Sequence, residues 1–310
     1  MKTNISVVIP VYNSEFNLPP LITRLIPAIK AITENYEVLL VNDCSQDNSW
    51  QVVTQLANNN PRIRGINLMR NYGQHNALLC GIRLAKHEII ITIDDDLQHP
   101  PEEMHKLVEK MAEGFDVVYG VPQKQVHANW RNFFSWFTKT AFSISLGVKS
   151  IKSISAFRAI KRDLRKSFAN FDSPNILIDA LLAWGTDNFG AVEVIEEKRL
   201  IGQSNYTFGK LFRIAMLVLT GFSTLPLRIA SVIGFAFTFF GAGILIYVIV
   251  RTFQDGSIPG FPFLASIIAI FSGVQLFTLG IFGEYLARIF NRSMNHPAYV
   301  ISDSTSEQHQ

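Results

Sequence analysis

Two long stretches of this sequence contain no Asp, Glu, Lys, Arg or His, and they lie close together near the C-terminal end. They run from Ile229 to Val250 and from Phe263 to Phe282. At about 1.5 Å of rise per residue, each would form a helix long enough to cross the roughly 30 Å hydrocarbon core of a bilayer. Because only a short connection separates them, we expect a helical hairpin whose two flanks lie on one side of a membrane.

Basic residues flank the expected hairpin and indicate its orientation. The connection carries only Arg251, which Asp255 offsets. Since cytoplasmic flanks are enriched in Lys and Arg, the pattern predicts a multi-pass protein of the cell (inner) membrane with its preceding domain and both termini in the cytoplasm. The apolar run after Met1 is too short for a signal peptide. The flanking basic residues are Lys198, Arg199, Lys210, Arg213 and Arg228 before the hairpin, and Arg288 and Arg292 after it.

The remaining sequence has the composition of one globular domain. The chain is 48% hydrophobic, and the hairpin accounts for the excess over an ordinary cytosolic enzyme. A formal charge of +3 without a dense basic run argues against nucleic acid as a partner. Cys44 and Cys80 fit neither a metal nor a disulfide spacing.

Short β-branched runs alternate with helical patterns over the first 120 residues. This alternation predicts a doubly wound, mostly parallel α/β sheet, in which ligands bind at the carboxyl ends of the strands. Pro10 is expected to stop the first strand. The predicted strands are 5–9, 37–41, 63–68, 88–93 and 116–119, and the predicted helices are 18–32, 49–58, 75–86 and 101–113.

Polar residues follow four of the predicted strands, where a parallel sheet holds its ligands. The most acidic of these clusters is Asp94-Asp95-Asp96, directly after the run EIIITI. In an extended chain Asp94 and Asp96 share one face while Asp95 points away. Two carboxylates on one face repel each other unless a cation lies between them, and hard oxygen ligands suit Mg²⁺ or Mn²⁺ bridging to a diphosphate. The alternative is a solvated acidic turn that caps the next helix.

Asp43 ends the second predicted strand, in VNDCSQDNS. A carboxylate at this place can accept hydrogen bonds from a base or ribose. Its alternative role is to fold the turn together with Ser45 and Asp47. Neither a dinucleotide-binding nor a P-loop glycine motif occurs in the chain.

Four motifs, VVIPVYNSEFNL, VNDCSQDNS, NLMRNYGQHNAL and DDDLQHPPE, resemble glycosyltransferase family 2, whose fold is GT-A. The later patterns RLIGQSNYTFGKL, FSTLPLR and GEYLARI are similar to its polyprenyl-phosphate branch, which includes dolichol-phosphate mannose synthase-like enzymes and bacterial undecaprenyl-phosphate sugar transferases. The resemblance covers about 6–300. It implies a nucleotide-sugar donor (a UDP-sugar is favoured), a divalent cation on Asp94 and Asp96, and a polyprenyl phosphate acceptor at the bilayer.

The resemblance also implies roles for individual residues. Asp94 and Asp96 take the D-x-D positions, and Arg70 with Asn71 closes the nucleotide pocket. The residues expected to bind the nucleotide-sugar are Pro10, Tyr12, Glu15, Asp43, Arg70, Asn71, Asp94, Asp95 and Gln98. Those expected at the acceptor phosphate are Arg131, Arg199, Ser204, Tyr206 and Lys210.

One position departs from the family pattern. Many relatives carry an acidic residue, often proposed as the base, just before a Phe-Arg pair, and here that position is Ala156. A lipid phosphate is mostly dianionic at neutral pH, so its oxygen can attack without losing a proton. It needs alignment and charge screening, for which Arg158 is a candidate. Asp179 is a candidate substitute base, with a structural contact within an apolar helix as the equal alternative.

These observations predict an inverting, metal-dependent transfer of a monosaccharide from a nucleotide-sugar to polyprenyl phosphate. The alternatives are transfer to a growing glycan or glycolipid, and a non-catalytic scaffold for a flippase or partner subunit. The expected organisation is a GT-A domain over 1–207, an interfacial helix and linker over 208–228, the hairpin within 229–290, and a loosely ordered cytoplasmic tail over 291–310. Hairpin glycines such as Gly241, Gly273 and Gly280 are compatible with a homo-oligomer.

Overall fold

The structure, a computed structural model, describes residues 3–122, 154–173, 176–197, 225–255, 260–294 and 296–305. The chain divides into two compact units. The first comprises Met1–Tyr206 together with Asn295–Gln310, and the second is Thr207–Met294. We refer to the first as the catalytic unit, after the transferase activity that its sequence motifs predict, and to the second as the hairpin unit.

The catalytic unit is built around one eight-stranded sheet. Its strands are β1 (Ile5–Val11), β2 (Tyr36–Asn42), β3 (Ile63–Leu68), β4 (Ile89–Thr92), β5 (Val117–Pro122), β6 (Arg158–Lys161), β7 (Phe189–Val194) and β8 (Ile301–Ser304). Its helices are α1 (Leu18–Ile32), α2 (Ser49–Asn59), α3 (Gln74–Leu84), α4 (Met104–Ala112) and α5 (Ile178–Gly185), with 3₁₀ helices at Pro101–Glu103 and Arg162–Phe168.

The strand order is β7-β5-β6-β4-β1-β2-β3-β8. Strands β4, β1, β2 and β3 are mutually parallel, so their carboxyl ends lie at one edge of the sheet, which we call the functional edge because the sequence predicts the ligand site there. β6 runs antiparallel between β4 and β5, and β7 pairs parallel with β5. All seven residues of β1 are buried, as expected for a central strand covered on both faces.

The predicted α/β fold class is confirmed, and the first five strands and four helices lie close to their predicted positions. Strand β1 does not stop at Pro10 but continues to Val11. The ladder between β1 and β4 ends at the pair Val8 and Thr92, so the missing N–H of Pro10 removes no bond from it. Strands β6, β7 and β8 were not predicted.

The hairpin unit contains two long apolar helices, α6 (Leu225–Asp255) and α7 (Phe261–Ser293). Their segments Leu227–Ile244 and Ile270–Ser293 are long and apolar enough to span a membrane. Only 6% of the first segment and none of the second is buried, unlike the core helix of a soluble protein. Phe239 is 75% exposed and Leu276 is 69% exposed. The two predicted apolar helices are therefore present, and their surface suits a hydrocarbon solvent.

The two apolar helices meet through aromatic side chains. The Phe237 and Phe271 rings contact edge to face, with centroids 5.6 Å apart. A Cβ atom at Gly241 would lie 3.1 Å from the Phe271 ring, whereas at Gly273 and Gly280 it would meet nothing within 4 Å. Of the three glycines singled out in the sequence, Gly241 is therefore the one that permits a close approach between α6 and α7.

The polar tail differs from the expectation of loose order. Residues 301–304 form β8, which pairs antiparallel with β3 at the edge of the sheet. Backbone hydrogen bonding to an edge strand overrides the polar composition of this segment.

Candidate functional site

The loops that follow β1 and β2 are joined by hydrogen bonds at the functional edge. The Asn13 N–H donates to Ser45 Oγ at 3.0 Å, and the Gln46 N–H donates to Asn13 Oδ1 at 2.8 Å. Glu15 accepts a bond from the Asn48 N–H at 3.0 Å. The two loops therefore form one connected surface.

Asp43 joins the end of β2 to the segment that follows β3. Its two carboxylate oxygens accept hydrogen bonds from the N–H groups of Tyr72 and Gly73, at 2.7 and 2.8 Å. Burial raises the pKa of Asp43, and these two bonds oppose the rise. The contacts differ from the turn with Ser45 and Asp47 considered above, because Asp43 instead fixes the start of α3.

The three consecutive aspartates after β4 have different partners. Asp94 Oδ1 accepts a hydrogen bond from the Gln74 side-chain amide at 2.7 Å. Asp95 Oδ2 accepts bonds from the Tyr12 N–H at 3.3 Å and from Ser14 Oγ at 2.5 Å. Asp96 Oδ1 accepts a bond from the Gln98 N–H at 3.1 Å. Asp95 is thus turned toward the β1 loop.

The local environment disfavours the ionised forms of two of these carboxylates. Desolvation, followed by repulsion from Asp96 and then Asp95, raises the pKa of Asp94 to about 7. Desolvation also raises the pKa of Asp95 to about 6, although the bonds from Ser14 and Tyr12 oppose it. The positive charge around Asp94 is therefore too small to offset the desolvation and repulsion of its ionised carboxylate.

This environment fits a divalent cation. Asp94 and Asp96 offer hard oxygen ligands, and a cation would relieve the repulsion that raises the pKa of Asp94. Within the described ranges, no three His, Cys, Asp or Glu side chains are grouped to hold a metal ion. A cation here would accordingly take two carboxylates and complete its coordination with substrate and water oxygens, as Mg²⁺ does at phosphate sites.

Strained backbone is concentrated at the same edge. Asn13, Cys44 and Leu97 have positive φ angles of 53°, 53° and 59°. They lie in the loops after β1, β2 and β4. Non-glycine residues adopt this conformation at a cost, and such residues cluster at functional sites.

A buried polar network lies beside the carboxylates. Arg158 is only 2% exposed and forms an ion pair with Asp179, which is 5% exposed. The Tyr119 hydroxyl donates to Asp179 Oδ1 at 2.8 Å, and Arg158 Nε donates to Thr92 Oγ1 at 3.1 Å. Desolvation works against the guanidinium charge, but the attraction of Asp179, Tyr119 and Asp94 and the hydrogen bond to Asp179 together outweigh it and raise the pKa of Arg158.

Comparisons with known proteins identify the family. The model of "Glycosyl transferase family 2" matches residues 6–173. A protein named "Uncharacterized glycosyltransferase YkcC" from Bacillus subtilis (strain 168) is 33% identical over 96% of this chain and 93% of its own length. The chain belongs to glycosyl transferase family 2. It is a glycosyltransferase, as the resemblance in its motifs predicted.

Further matches support the family assignment and the fold. The undecaprenyl-phosphate 4-deoxy-4-formamido-L-arabinose transferase of Shewanella sediminis (strain HAW-EB3) is 34% identical over 96% of this chain and 92% of its own length. A crystal structure of glucosyl-3-phosphoglycerate synthase from Mycobacterium tuberculosis, in complex with Mn²⁺, UDP and glucosyl-3-phosphoglycerate, has a TM-score of 0.51. It is 19% identical and covers 70% of this chain and 78% of its own, so the likeness shows the fold.

The structure brings the residues predicted to bind the nucleotide-sugar of this family 2 enzyme to one sheet edge. Pro10 is buried within β1, and Tyr12 is 44% exposed. Arg70 lies over the Tyr72 ring, 4.7 Å from its centroid, and Asn71 is exposed. Their contacts with a donor stay predictions. The residues predicted at the acceptor phosphate, Arg131, Arg199, Ser204, Tyr206 and Lys210, lie outside the described residues, as does most of the interfacial helix.

Arg158 and Asp179 satisfy each other inside the protein. The contacts of Asp179 are those of the structural alternative, because the same oxygen is engaged by Arg158 and Tyr119. For Oδ1 to accept a proton, Asp179 would have to give up both contacts. The positive charge of Arg158 favours ionised Asp94 and so opposes the rise in the pKa of that carboxyl. Their roles in catalysis stay predictions.

Sequence reasoning missed Gln74 and His99 as residues that shape the site, whereas it interpreted His75 as a helix-start residue in preference to a catalyst. Gln74 is the partner of Asp94, and its position at the start of α3 follows from Gly73, whose φ of +93° suits glycine. The motif NYGQ contained that signal. His75 Nδ1 and His99 Nδ1 are buried with no hydrogen-bond partner in the described part of the chain. Desolvation lowers the pKa of both imidazoles.

Proposed function

We propose that this enzyme transfers a monosaccharide from a nucleotide-sugar to a polyprenyl phosphate at the cytoplasmic face of a bilayer. The observation that carries the proposal is the joining of two features in one chain. A family 2 catalytic unit presents Asp94 and Asp96 at its functional edge, and it is continuous with two apolar helices whose surfaces are exposed. Relatives covering nearly the whole chain bear the name of undecaprenyl-phosphate sugar transferases, which supports this acceptor class.

The donor is a nucleoside diphosphate sugar held across the carboxyl ends of β1 to β4. Asp94 and Asp96 would hold Mg²⁺ or Mn²⁺, which would neutralise the diphosphate and the charge that develops on it as it leaves. UDP is favoured as the nucleotide because a solved synthase of the same fold contains UDP together with Mn²⁺. Tyr12, Arg70 and Asn71 remain accessible at that edge to contact the nucleotide.

The reaction is a single inverting displacement. An oxygen of the lipid phosphate forms a bond to the anomeric carbon, while the bond from that carbon to the β-phosphate oxygen breaks. The electron pair leaves with the nucleoside diphosphate. Because the acceptor phosphate has a second pKa near 6, its attacking oxygen carries no proton at neutral pH. Replacement of the acidic residue by Ala156 is consistent with a reaction that needs no general base.

The division of the chain into units supports two membrane crossings. The residues before and after the hairpin unit belong to the same catalytic unit, which includes β8. One folded unit lies on one side of a bilayer, so a chain that leaves it and returns must cross an even number of times. Together with the basic flanks, this favours a cytoplasmic location for the catalytic unit and both termini.

Gln74 is expected to orient Asp94 for cation binding. Removing its amide in Gln74→Ala should weaken Mn²⁺ binding and lower the rate of sugar transfer about 10- to 100-fold, the usual effect of losing a partner of a metal ligand. Gln74→Glu should be more severe, because it places a carboxylate where Asp94 now accepts a hydrogen bond. Mn²⁺ titration followed by electron paramagnetic resonance would measure the affinity.

A matched control for Gln74 is Gln55→Ala, at an exposed position within α2. This variant should bind Mn²⁺ and transfer sugar like the unmodified protein. Equal Mn²⁺ affinity in Gln74→Ala and Gln55→Ala would contradict the orienting role.

The function is tested with membranes that contain the protein, undecaprenyl phosphate and radiolabelled nucleotide-sugars offered singly. We expect label from one donor to enter the organic phase and mass spectrometry to identify a polyprenyl-phosphate monosaccharide. The transfer should require Mg²⁺ or Mn²⁺. Label in polymer would favour a glycan acceptor, and equal activity on a water-soluble acceptor lacking the isoprenoid chain would refute the proposal.

A further inference from the structure

The chain returns to the catalytic sheet directly after the hairpin. Helix α7 ends at Ser293 and β8 begins at Ile301, so residues 294–300 make the connection. β8 pairs antiparallel with β3, with Ile66 opposite Ser304 and Leu68 opposite Ile301. We call residues 296–305 the return segment.

The return segment is held at both ends of its pairing with the catalytic unit. At its far end, the Thr305 N–H donates to Gly65 O at 3.1 Å, and the Gly65 N–H donates to Thr305 Oγ1 at 3.0 Å. At its near end, the Ala298 N–H donates to Asp172 Oδ1 at 3.1 Å. Ala298 is fully buried and Thr305 is 7% exposed, so both ends of the return segment are packed into the catalytic unit.

One contact of the return segment reaches the functional edge. The Met69 N–H donates to Val300 O at 2.9 Å, immediately before Arg70 and Asn71. We call residues 69–73 the donor loop. Its other end is held by Asp43, which accepts the N–H groups of Tyr72 and Gly73. The donor loop is therefore anchored by β2 on one side and by the return segment on the other.

Polar side chains continue this connection across the sheet. The Ser302 hydroxyl donates to Asn67 O at 3.2 Å, and the Asn42 amide donates to Asn67 Oδ1 at 2.7 Å. Ser45 Oγ in turn donates to Asn42 Oδ1 at 2.5 Å and accepts the Asn13 N–H. A series of hydrogen bonds thus connects the return segment, through Asn67 and Asn42, to the loops after β2 and β1.

We propose that the return segment is a positioning element for donor binding, through its hold on β3 and the donor loop. The inference rests on the proposed nucleotide-sugar site. On this view the hairpin is inserted within the sequence of the catalytic unit. The residues after α7 then hold the donor loop in the nucleotide-sugar site that the N-terminal residues form. Its loss should weaken binding of the nucleotide and leave the response to the lipid acceptor largely unchanged.

The test uses the full chain, a chain ending at Met294, and Thr305→Pro, which removes both hydrogen bonds to Gly65. We expect the dissociation constant of UDP with Mn²⁺ and the KM of the donor to rise at least about tenfold in both variants. The KM of undecaprenyl phosphate should change less than about twofold. A synthetic peptide of residues 295–310 should restore binding to the shortened chain. Gln308→Pro, which introduces the same residue beyond the return segment, serves as the control and should bind UDP normally.

Hydrogen exchange separates failure of this inference from failure of the proposed function. Exchange of the donor-loop amides should be at least about tenfold faster in Thr305→Pro, with or without nucleotide. Unchanged exchange and unchanged donor KM in this variant would overturn the inference, even if the shortened chain fails to fold. A full chain that binds none of UDP, GDP and dTDP, while its donor-loop exchange still depends on Thr305, would instead overturn the proposed donor site.

Discussion

Asp96→Asn is expected to lower the rate of sugar transfer at least about 1,000-fold while leaving the protein folded and membrane-inserted. The proposed cation needs the negative charge of this carboxylate, and an amide oxygen is a weaker ligand. A loss of about 4 kcal/mol of transition-state stabilisation corresponds to this factor, and metal ions supply several kcal/mol at such sites. Transfer of label to undecaprenyl phosphate at saturating Mn²⁺ measures the rate, and flotation of proteoliposomes measures insertion.

A matched control for this change is Asp163→Asn, in a surface ion pair with Lys166 where both side chains are more than 75% exposed. It should transfer sugar normally. Cellular function that persists in Asp96→Asn, together with normal transfer in Asp163→Asn, would favour the non-catalytic scaffold.

Asp94→Asn should lose activity but gain stability in chelator. The pKa of Asp94 is raised from 3.8 to about 7 in the folded protein, so folding favours the protonated form. Stability is consequently lost as the pH rises from about 4 through about 7, and asparagine removes that loss. The unfolding temperature of the variant should therefore exceed that of the unmodified protein at pH 8. A lower unfolding temperature would contradict this electrostatic account.

The first half of the fold could be predicted because its strands are buried on both faces. Such strands appear in the sequence as short β-branched runs, as in Ile5–Val11 and Tyr36–Asn42. β8 carries no such signal. Its sequence, ISDS, is polar, and it becomes a strand because β3 offers an unpaired edge. A contact between residues about 240 positions apart, as between Gly65 and Thr305, cannot be inferred from local pattern.

The clustering of the candidate site residues at one sheet edge was predictable, but the hydrogen bonds among them were not. Asp43 and the three aspartates stand out because they follow buried apolar strands, at the edge where a parallel sheet binds ligands. The partners of Asp43 are the backbone N–H groups of Tyr72 and Gly73. Every residue except proline carries such a group, so these donors cannot be recognised from the residue types. The sequence likewise left the two roles of Asp179 open, because its pairing with Arg158 joins a side chain on α5 to one on β6, and local pattern does not reveal such a contact.

Asp179→Ala is expected to lower the free energy of unfolding of the catalytic unit by about 3–5 kcal/mol. The change leaves the Arg158 guanidinium buried without its partner, and an unpaired buried charge is among the costliest defects in a protein. It also leaves the Tyr119 hydroxyl without its acceptor. Urea unfolding in detergent micelles, followed by far-ultraviolet circular dichroism and by proteolysis of the catalytic unit, measures the loss.

Two further variants separate the charge effect from a chemical role of Asp179. Replacing both partners, in Arg158→Met with Asp179→Leu, should cost less than the sum of the two single changes, because no charge remains buried. The exposed pair of Asp163 and Lys166 offers the comparison, since Asp163→Ala should leave the free energy of unfolding nearly unchanged. Asp179→Asn retains the shape of the carboxylate. If it remains folded but transfers sugar at least about 1,000-fold more slowly, with unchanged donor and acceptor KM, Asp179 acts as the base. Transfer within about tenfold of the normal rate establishes the structural role, because a displacement by an already ionised phosphate needs no proton acceptor.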